Sequence, residues 1–594
     1  MKVATEMKKV KGGAFLIEPT DAANVFTPED LSEEHKMIAR TTEDFIKEKV
    51  WPVLDEIEQH KFEHTVKLLQ EAGELGLLGA DVPEKYEGLG LDKISSSMIT
   101  EKMALARSFA LSYGAHVGIG TLPIVFFGNE EQKKKYLPDL AAGRKFAAYA
   151  LTEPGSGSDA LGAKTTAVLS DDGKHYILNG EKQWITNSAF ADLFVVYAKV
   201  DGDKFSAFIV ERNFPGVSTG PEEKKMGIKG SSTRTLILQD AKVPVENLLG
   251  EVGKGHLIAF NILNIGRYKL AVGTVGSAKR AIEISAKYAK ERKQFNIPIA
   301  KFGLIREKLA NMAMKTYAAE SMSYRIGGMF EAGLEGVEDA EGSVAAKAIG
   351  ELAIECSIAK VFGSEVLDYV VDEGVQIHGG YGFMNEYEIE NMYRDSRINR
   401  IFEGTNEINR LLIPATLMRK ALKGELPLMQ AAQDLQEELL TMMPYLPEED
   451  APVLEEAENL VENAKKIFLM VAGLAVQKYE EKLNKEQEIL RDLSDIAIET
   501  FAMESTLLRT KKAIAKNGED KEQGKIDLTR AFIYESFQRV DSFARHTLAA
   551  LEEGDVLRTQ LSVLKKLTRT QPLNEVELKR NIAARILDAE KYTV

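Results

Sequence analysis

The chain has 594 residues, of which 44% are hydrophobic and 28% are charged, so it has room for about three to five globular domains. Its 91 acidic residues outnumber 76 Lys and Arg residues, and the net charge of -15 argues against a general affinity for nucleic acid. The single cysteine, Cys356, excludes an intrachain disulfide and cysteine-based metal clusters, and we expect it to be a small buried residue.

The N-terminal residues show no apolar core of signal-peptide length, and they include acidic residues that a transit peptide would avoid. The longest uninterrupted apolar run, residues 467–476, is far shorter than the roughly 20 residues that span a bilayer. These features predict a cytoplasmic protein.

The periodicity of apolar residues divides the chain into four regions. Residues 30–145 have helical spacing behind a Ser32 cap and predict an N-terminal helical domain. In residues 146–252, short β-branched and aromatic runs between Gly, Asp and Asn turns predict a middle antiparallel β domain. Helical spacing returns in residues 253–415 and continues in a C-terminal helical extension, residues 425–594. The predicted fold class is therefore mainly α with a central antiparallel β domain.

The extension contains an apolar stripe at helical spacing. Such a stripe is usually core, and a peripheral membrane contact through the extension is the alternative. The stripe consists of Leu460, Ala464, Ile467, Phe468, Val471, Leu474 and Ala475.

The stretch YALTEPGSGSDA, residues 149–160, leads into the β domain. Gly155 and Gly157 predict a tight loop whose backbone N–H groups, with the hydroxyls of Thr152 and Ser158, suit a phosphate or a ring carbonyl. The loop has neither the dinucleotide-binding glycine spacing nor the P-loop spacing. Taken alone, such a loop is most often an ordinary turn.

Trp184, one of two tryptophans, precedes Ile185 and Thr186 at the end of a predicted strand. Its ring offers a flat face for stacking, and Thr186 offers a hydroxyl for a polar ring edge. An ordinary core tryptophan fits the same pattern equally well.

A lone carboxylate, Glu403, lies between Phe402 and the pair Gly404 and Thr405 in the stretch RINRIFEGTNEINR, residues 397–410. It is either a surface charge at a helix end or a base held in place by a backbone that glycine permits. The local residues alone leave both interpretations open.

Six motifs in order resemble the acyl-CoA dehydrogenase family: LTEPGSGSD, QWITN, MGIKGSSTRTLILQDAKVP, ERKQF, QIHGGYGFMNEYEIENMYRDSRI and IFEGTNEINR. The resemblance covers about residues 30–415. The extension, and the phrase YGAHVGIG at residues 113–120, are similar to the very-long-chain branch. The resemblance implies a helical domain, a β-barrel domain and a four-helix bundle, with FAD as cofactor and acyl-CoA as substrate.

The resemblance also implies which residues contact FAD. Those from Arg292 to Gly380 would reach the FAD of a neighbouring subunit, so the active protein would be a homodimer. The implied cofactor residues are Leu151, Thr152, Gly157, Ser158, Trp184, Ile185, Thr186, Arg292, Gln294, Phe295, Gln376, Gly379, Gly380, Thr405 and Glu407.

Glu403 matches the family's catalytic base, which removes the α-proton while flavin N5 accepts the β-hydride. No acid between residues 259 and 279 replaces it. The implied substrate contacts are Ser158, Asn264, Arg267 and Gly404, and internal pairing is an equal alternative for Arg267. The resemblance implies no metal.

The implied function is FAD-dependent dehydrogenation of acyl-CoA to trans-2-enoyl-CoA in fatty-acid β-oxidation, with electron-transfer flavoprotein as acceptor. Gly114, Ala115, Gly118 and Gly120 would leave a deep channel for medium-to-long acyl groups, or serve close helix packing instead. An acyl-CoA oxidase and a non-catalytic assembly protein are the alternative functions.

Overall fold

The structure is a computed structural model that describes residues 8–335, 342–442 and 451–594. Its first region is helical, as the apolar spacing predicts. Ser32 caps the first helix by accepting the N–H of His35, as its position in the sequence indicates. The helices are α1 Glu33–Phe45, α2 Leu54–Glu58, α3 Phe62–Glu74, α4 Lys93–Met103, α5 Ser108–Gly114, α6 Leu122–Phe127 and α7 Glu130–Ala141.

The middle region is a sheet in the order β6-β7-β3-β2-β4-β5-β8, with β1 also paired to β4. Most neighbours are antiparallel, but β1 and β2 both run parallel to β4, at Leu193–Val196 and Lys199–Val200 respectively. Because β1 and β2 follow one another along the same edge of β4, the loop between them is extruded from the sheet. The strands are β1 Ala147–Ala150, β2 Thr166–Leu169, β3 His175–Thr186, β4 Leu193–Val200, β5 Lys204–Glu211, β6 Val217–Thr219, β7 Thr233–Pro244 and β8 Leu248–Leu249.

The third region is a bundle in which α11 packs against α8, α9 and α13. Helix α12 contacts α8 and α11, and the hairpin of β9 and β10 follows α8. The elements are α8 Gly255–Glu291, β9 Lys293–Gln294, β10 Ile297–Pro298, α9 Gly303–Leu334, α10 Gly342–Glu351, α11 Ala353–His378, α12 Glu388–Ser396 and α13 Asn406–Leu422.

The extension packs on the bundle through α16 and α19, which contact α9. Buried Arg509 of α16 binds Glu320 of α9 at 2.7 Å and both carboxylate oxygens of Glu29 in the N-terminal segment. The extension is thereby fixed to the bundle by charge as well as by apolar contact. Its helices are α14 Leu428–Thr441, α15 Glu455–Tyr479, α16 Gln487–Asn517, α17 Gln523–Leu551, α18 Gly554–Leu567 and α19 Glu575–Ala589.

The apolar stripe of the extension lies on α15 and faces inward. Six of its seven residues are buried and Leu474 is partly buried, so the membrane alternative is wrong for this stripe. A different segment, Ser108–Phe127, is long and apolar enough to cross a membrane by length and composition, contrary to the expectation from uninterrupted runs. Within this segment, 67% of the apolar 18-residue stretch is buried, which favours a core segment instead.

Cys356 is free and fully buried in α11, as expected for a small apolar residue. It packs in the core of the bundle with the other inward-facing residues of that helix. Its burial raises the pKa of the thiol, so it is not placed to act as a nucleophile.

Candidate active site

Glu403 lies in a turn before α13 in which two successive residues are left-handed. The φ angle is 57° at Glu403 and 79° at Gly404, and the first is costly for a residue with a side chain. Buried donors hold the carbonyls of this turn. Arg267 Nε donates to the Glu403 carbonyl at 3.0 Å, Lys360 Nζ to that of Gly404 at 2.7 Å, and Asn409 Nδ2 to that of Gly404 at 2.9 Å.

The Glu403 carboxylate is directed at α8. Its Oε2 atom is buried and has no hydrogen-bond partner among the described residues. A Cβ atom built on Gly266 would come within 2.5 Å of Oε2, so a larger residue there would displace the carboxylate from this position. Burial raises the pKa of Glu403 to about 7, although nearby Arg267 and Lys360 act in the opposite direction.

A cavity runs from this carboxylate along α8, and we call it the corridor. It is also lined by α12 and the turn after it, from Glu388 to Phe402, and by residues of the N-terminal region between Thr100 and Ile119. The α8 residues that line the corridor recur at helical spacing from Gly266 to Arg280. These two residues are fourteen positions apart, and a helix rises about 1.5 Å per residue, so the corridor is roughly 21 Å long. The α8 lining residues are Gly266, Lys269, Leu270, Gly273, Thr274, Ser277 and Arg280.

Small residues of α8 and of the N-terminal region open the corridor. A Cβ atom on Gly114, Gly118 or Gly273 would meet no described residue within 4 Å. Gly120 is different, because its Cβ would lie 2.9 Å from Ala147 of β1, so this glycine serves close packing. The two explanations for the small residues therefore each apply to part of the set, while Ala115 also lines the corridor.

The extruded loop, residues 151–165, is anchored at its base by a buried ion pair. Lys182 Nζ donates to Glu153 Oε1 at 2.7 Å and to the Leu151 carbonyl at 3.2 Å. Glu153 also accepts from the Thr165 N–H, which fixes the far end of the loop. Gly157 at the tip is exposed, and a Cβ atom there would meet no neighbour within 4 Å in the part of the chain that the structure describes.

Trp184 stands out from β3 beside this loop. A register shift between Lys182 and Ile185 bulges the strand, and Trp184 adopts a φ angle of 60°. Its side chain is 59% exposed, so it is not a core tryptophan. Ile185 is buried next to it, and Thr186 lines the corridor.

Several predicted cofactor residues gather at a second cleft, which includes Arg292, Gln294, Gly379 and Gly380 but none of the residues that line the corridor. Arg292 lies over the Tyr381 ring, 5.3 Å from its centroid. Two further predicted residues, Phe295, which is 87% exposed, and Gln376, which is also exposed, do not line this cleft.

Asn264 and Arg267 are buried, with exposures of 6% and 7%, and they bond to each other at 2.9 Å. Since Arg267 also holds the Glu403 carbonyl, its position favours the internal alternative over a substrate contact. Thr405 caps α13 through its hydroxyl, which accepts the N–H of Ile408 at 3.2 Å. Glu407 is exposed in the first turn of α13.

Three important residues of the Glu403 turn were not predicted as site residues, namely Gly266, Lys360 and Asn409. Asn409 lies six residues after Glu403 within the same motif, so its proximity was available from the sequence. Lys360 lies more than forty positions earlier, and no local pattern marks it. Only the packing of α11 on α13 brings its ammonium group to the turn.

Family comparisons agree with this arrangement. The model of the acyl-CoA dehydrogenase N-terminal domain matches residues 32–144, and that of the middle domain matches residues 148–241. Two models of the acyl-CoA dehydrogenase C-terminal domain match residues 253–418 and 463–566. The chain belongs to the acyl-CoA dehydrogenase family. The resemblance seen in the sequence is thereby confirmed, as is the fold class.

Individual relatives extend the match to the whole chain. A probable acyl-CoA dehydrogenase of Bacillus subtilis (strain 168) is 66% identical over 587 residues, which is 98% of each chain. The very long-chain specific acyl-CoA dehydrogenase of Homo sapiens, a mitochondrial protein, is 36% identical over 80% of this chain and 75% of its own. The crystal structure of an acyl-CoA dehydrogenase from Bacillus anthracis, complexed with FAD, is 66% identical, with a TM-score of 0.97 over 98% of this chain and 100% of its own.

Glu403→Gln is expected to stabilise the protein at about pH 8 and to have little effect at about pH 5. A carboxyl whose pKa is raised in the fold loses stability as pH rises from 4.5, its unfolded value, to about 7. The ionised side chain should cost about 3 kcal/mol at pH 8, which a neutral amide avoids. Melting temperatures at the two pH values measure the difference. Glu407→Gln, whose wild-type pKa is lowered, is the control and should not gain stability at high pH.

Proposed function

We propose that the protein binds FAD and dehydrogenates acyl-CoA thioesters to trans-2-enoyl-CoA in fatty-acid β-oxidation. The observation that carries this proposal is the buried, unpaired Oε2 of Glu403 at one end of a corridor about 21 Å long. A base at the end of a long, largely apolar space suits a reaction at the head of an extended acyl chain. Family membership and the FAD-bound relative support the same activity.

The residues around the extruded loop fit the cofactor. An exposed indole on a strained backbone, beside a loop tip with free space at Gly157, is what a flat ring with a phosphate tail requires. When bound, FAD supplies the acceptor for the hydride that leaves the β-carbon. The residues that would hold it are Leu151, Thr152, Gly157, Ser158, Trp184, Ile185 and Thr186.

Glu403 takes the α-proton of the substrate. A base works best when its pKa lies near the working pH, and burial brings the pKa of Glu403 to about 7. No described hydrogen-bond donor competes for Oε2. The backbone N–H of Glu403 donates to no acceptor among the described residues, so it is available to polarise the thioester carbonyl and lower the cost of proton removal.

The corridor favours medium-to-long acyl groups. Three bonds of an extended chain span about 3.6 Å, or about 1.2 Å per bond, so roughly 16 to 18 carbons fill about 21 Å. The very-long-chain name of the human relative agrees with this length. The family relatives at 66% and 36% identity are named dehydrogenases, which favours electron-transfer flavoprotein over oxygen as the acceptor. A cytoplasmic location remains a prediction.

We propose a homodimer in which the cleft of Arg292, Gln294, Gly379 and Gly380 completes the FAD site of the second copy. This cleft and the corridor share no lining residue. Phe295, the residue after Gln294, is exposed, which leaves an aromatic side chain for a partner. Sedimentation of the flavin-loaded protein should give a dimer or a larger assembly. A monomer that retains all of its flavin would contradict the shared site.

Glu403→Gln should keep the flavin but prevent its bleaching by palmitoyl-CoA under anaerobic conditions. Loss of a general base lowers rates by about 100-fold to 10,000-fold, and the amide has a similar volume. The measurement is stopped-flow absorbance at the flavin band, followed by turnover with electron-transfer flavoprotein. Glu437→Gln, at an exposed position of α14 outside the predicted site residues, is the matched control and should bleach normally.

Three outcomes would contradict the proposal in different ways. Fast bleaching of Glu403→Gln would place the base elsewhere. Release of hydrogen peroxide in air, without reduction of electron-transfer flavoprotein, would identify an oxidase. A purified wild-type protein without a flavin absorbance band would favour the non-catalytic alternative.

Gly273→Leu should shift the preference toward shorter chains. Gly273 is seven residues from Gly266, so the new side chain would block the corridor about 10 Å from the base. We expect kcat/KM to fall at least about tenfold for palmitoyl-CoA and to change little for hexanoyl-CoA. An unchanged profile across a chain-length series would show that acyl groups do not follow α8.

A further inference from the structure

The end of the corridor farthest from Glu403 is formed by an ion pair between α8 and α12. Arg280 of α8 donates to both carboxylate oxygens of Glu388 at the start of α12, at 3.0 Å and 2.7 Å. Both residues line the corridor, and they lie at the opposite ends of their lining stripes from Gly266 and Phe402. The corridor therefore extends from the Glu403 carboxylate at one end to this bidentate pair at the other.

The pair is held in place by residues outside the corridor. The Arg280 guanidinium lies over the Trp51 ring, 5.4 Å from its centroid, and donates to Glu283 at 3.1 Å. Trp51 in turn donates its indole N–H to the carbonyl of Leu105, a corridor residue, at 3.0 Å. A planar cation fixed by two carboxylates and an aromatic face has little freedom to move aside.

A second polar contact crosses the same region. Arg107 Nε donates to Asn391 Oδ1 at 2.6 Å. Both residues line the corridor, and Asn391 lies one turn of α12 after Glu388. Two polar contacts therefore cross this end of the corridor, one between α8 and α12 and one between Arg107 and α12. An apolar chain that reached these contacts would stop gaining from burial.

We propose that the Arg280–Glu388 ion pair sets the upper limit of acyl-chain length. The inference rests on the proposed acyl-CoA dehydrogenase function and names the residues that determine its specificity. Each added methylene gains a small burial energy only while apolar space remains. A chain that reaches the pair must separate a bidentate, partly buried contact, which costs more than one or two methylenes return.

The side chains of Arg280 and Glu388 are 20% and 31% exposed, so the pair separates the corridor from solvent rather than from more protein core. Removing either side chain would open this end to water. A longer chain could then extend through the opening instead of stopping inside. The limit thus depends on two side chains and not on the backbone path of α8 or α12.

The test compares kcat/KM for docosanoyl-CoA and palmitoyl-CoA in the flavin-loaded full chain, with electron-transfer flavoprotein as acceptor. In the wild type, we expect the longer substrate to be much poorer. Glu388→Ala should raise the ratio of the two values at least about tenfold, equivalent to about 1.4 kcal/mol. Arg280→Ala should have the same effect from the other wall.

Glu390→Ala is the matched control. It removes an ion pair with Arg394 on the same helix, at 2.5 Å and with comparable exposure, but neither residue lines the corridor. Its ratio should equal that of the wild type. Octanoyl-CoA, whose chain ends about halfway along the corridor, reports whether each variant is folded and active.

An unchanged ratio in both alanine variants, with octanoyl-CoA turnover retained, would overturn the inference. Loss of octanoyl-CoA turnover in both would also overturn it, because the pair would then be needed for the fold and not for chain length. If the wild-type flavin is bleached by no acyl-CoA, the proposed function itself fails. That result is distinguishable, since it appears before any variant is compared.

Discussion

The left-handed turn at Glu403 and Gly404 depends on three buried donors, and the site depends on that turn. A non-glycine residue in this conformation costs about 1 to 2 kcal/mol, so surrounding contacts must hold it. Arg267, Lys360 and Asn409 supply them by binding the carbonyl oxygens of the turn. These donors come from α8, α11 and α13, so the turn exists only when the bundle is assembled.

Helix α8 performs several tasks through its regular spacing. Gly266 gives the carboxylate its space, and the next residue, Arg267, turns to the other side and holds the backbone. Successive turns then line the corridor as far as Arg280, which pairs with α12. One continuous helix therefore fixes the position of the base and the far end of the corridor. A kink or break in α8 would disconnect the two.

Much of the fold and of the candidate site was predictable from the sequence, but for different reasons at different residues. Local patterns reveal what local chemistry decides, such as the Ser32 cap, the strands of the middle region and the special backbone at Gly404. Glu403 was found through its motif, and the structure supplies the missing reason in Gly266. By contrast, Lys360 and the Arg280–Glu388 pair depend on contacts between distant helices. No spacing within either segment indicates such contacts, and the two parallel strand pairs were missed for the same reason.

The contrast between Asp81 and Glu403 explains why the cations near Glu403 do not lower its pKa below the ordinary value. Asp81 is also buried, but Lys93 and Lys269 bind its two carboxylate oxygens directly, and its pKa is lowered far below the ordinary value. At Glu403 the guanidinium and ammonium groups are hydrogen-bonded to carbonyl oxygens, so they act on the carboxylate only through space. Desolvation is then the larger effect, and the pKa rises to about 7. Buried cationic side chains therefore form an ion pair with Asp81 but leave Glu403 as a base. The difference is whether the carboxylate itself or a carbonyl oxygen accepts their hydrogen bonds.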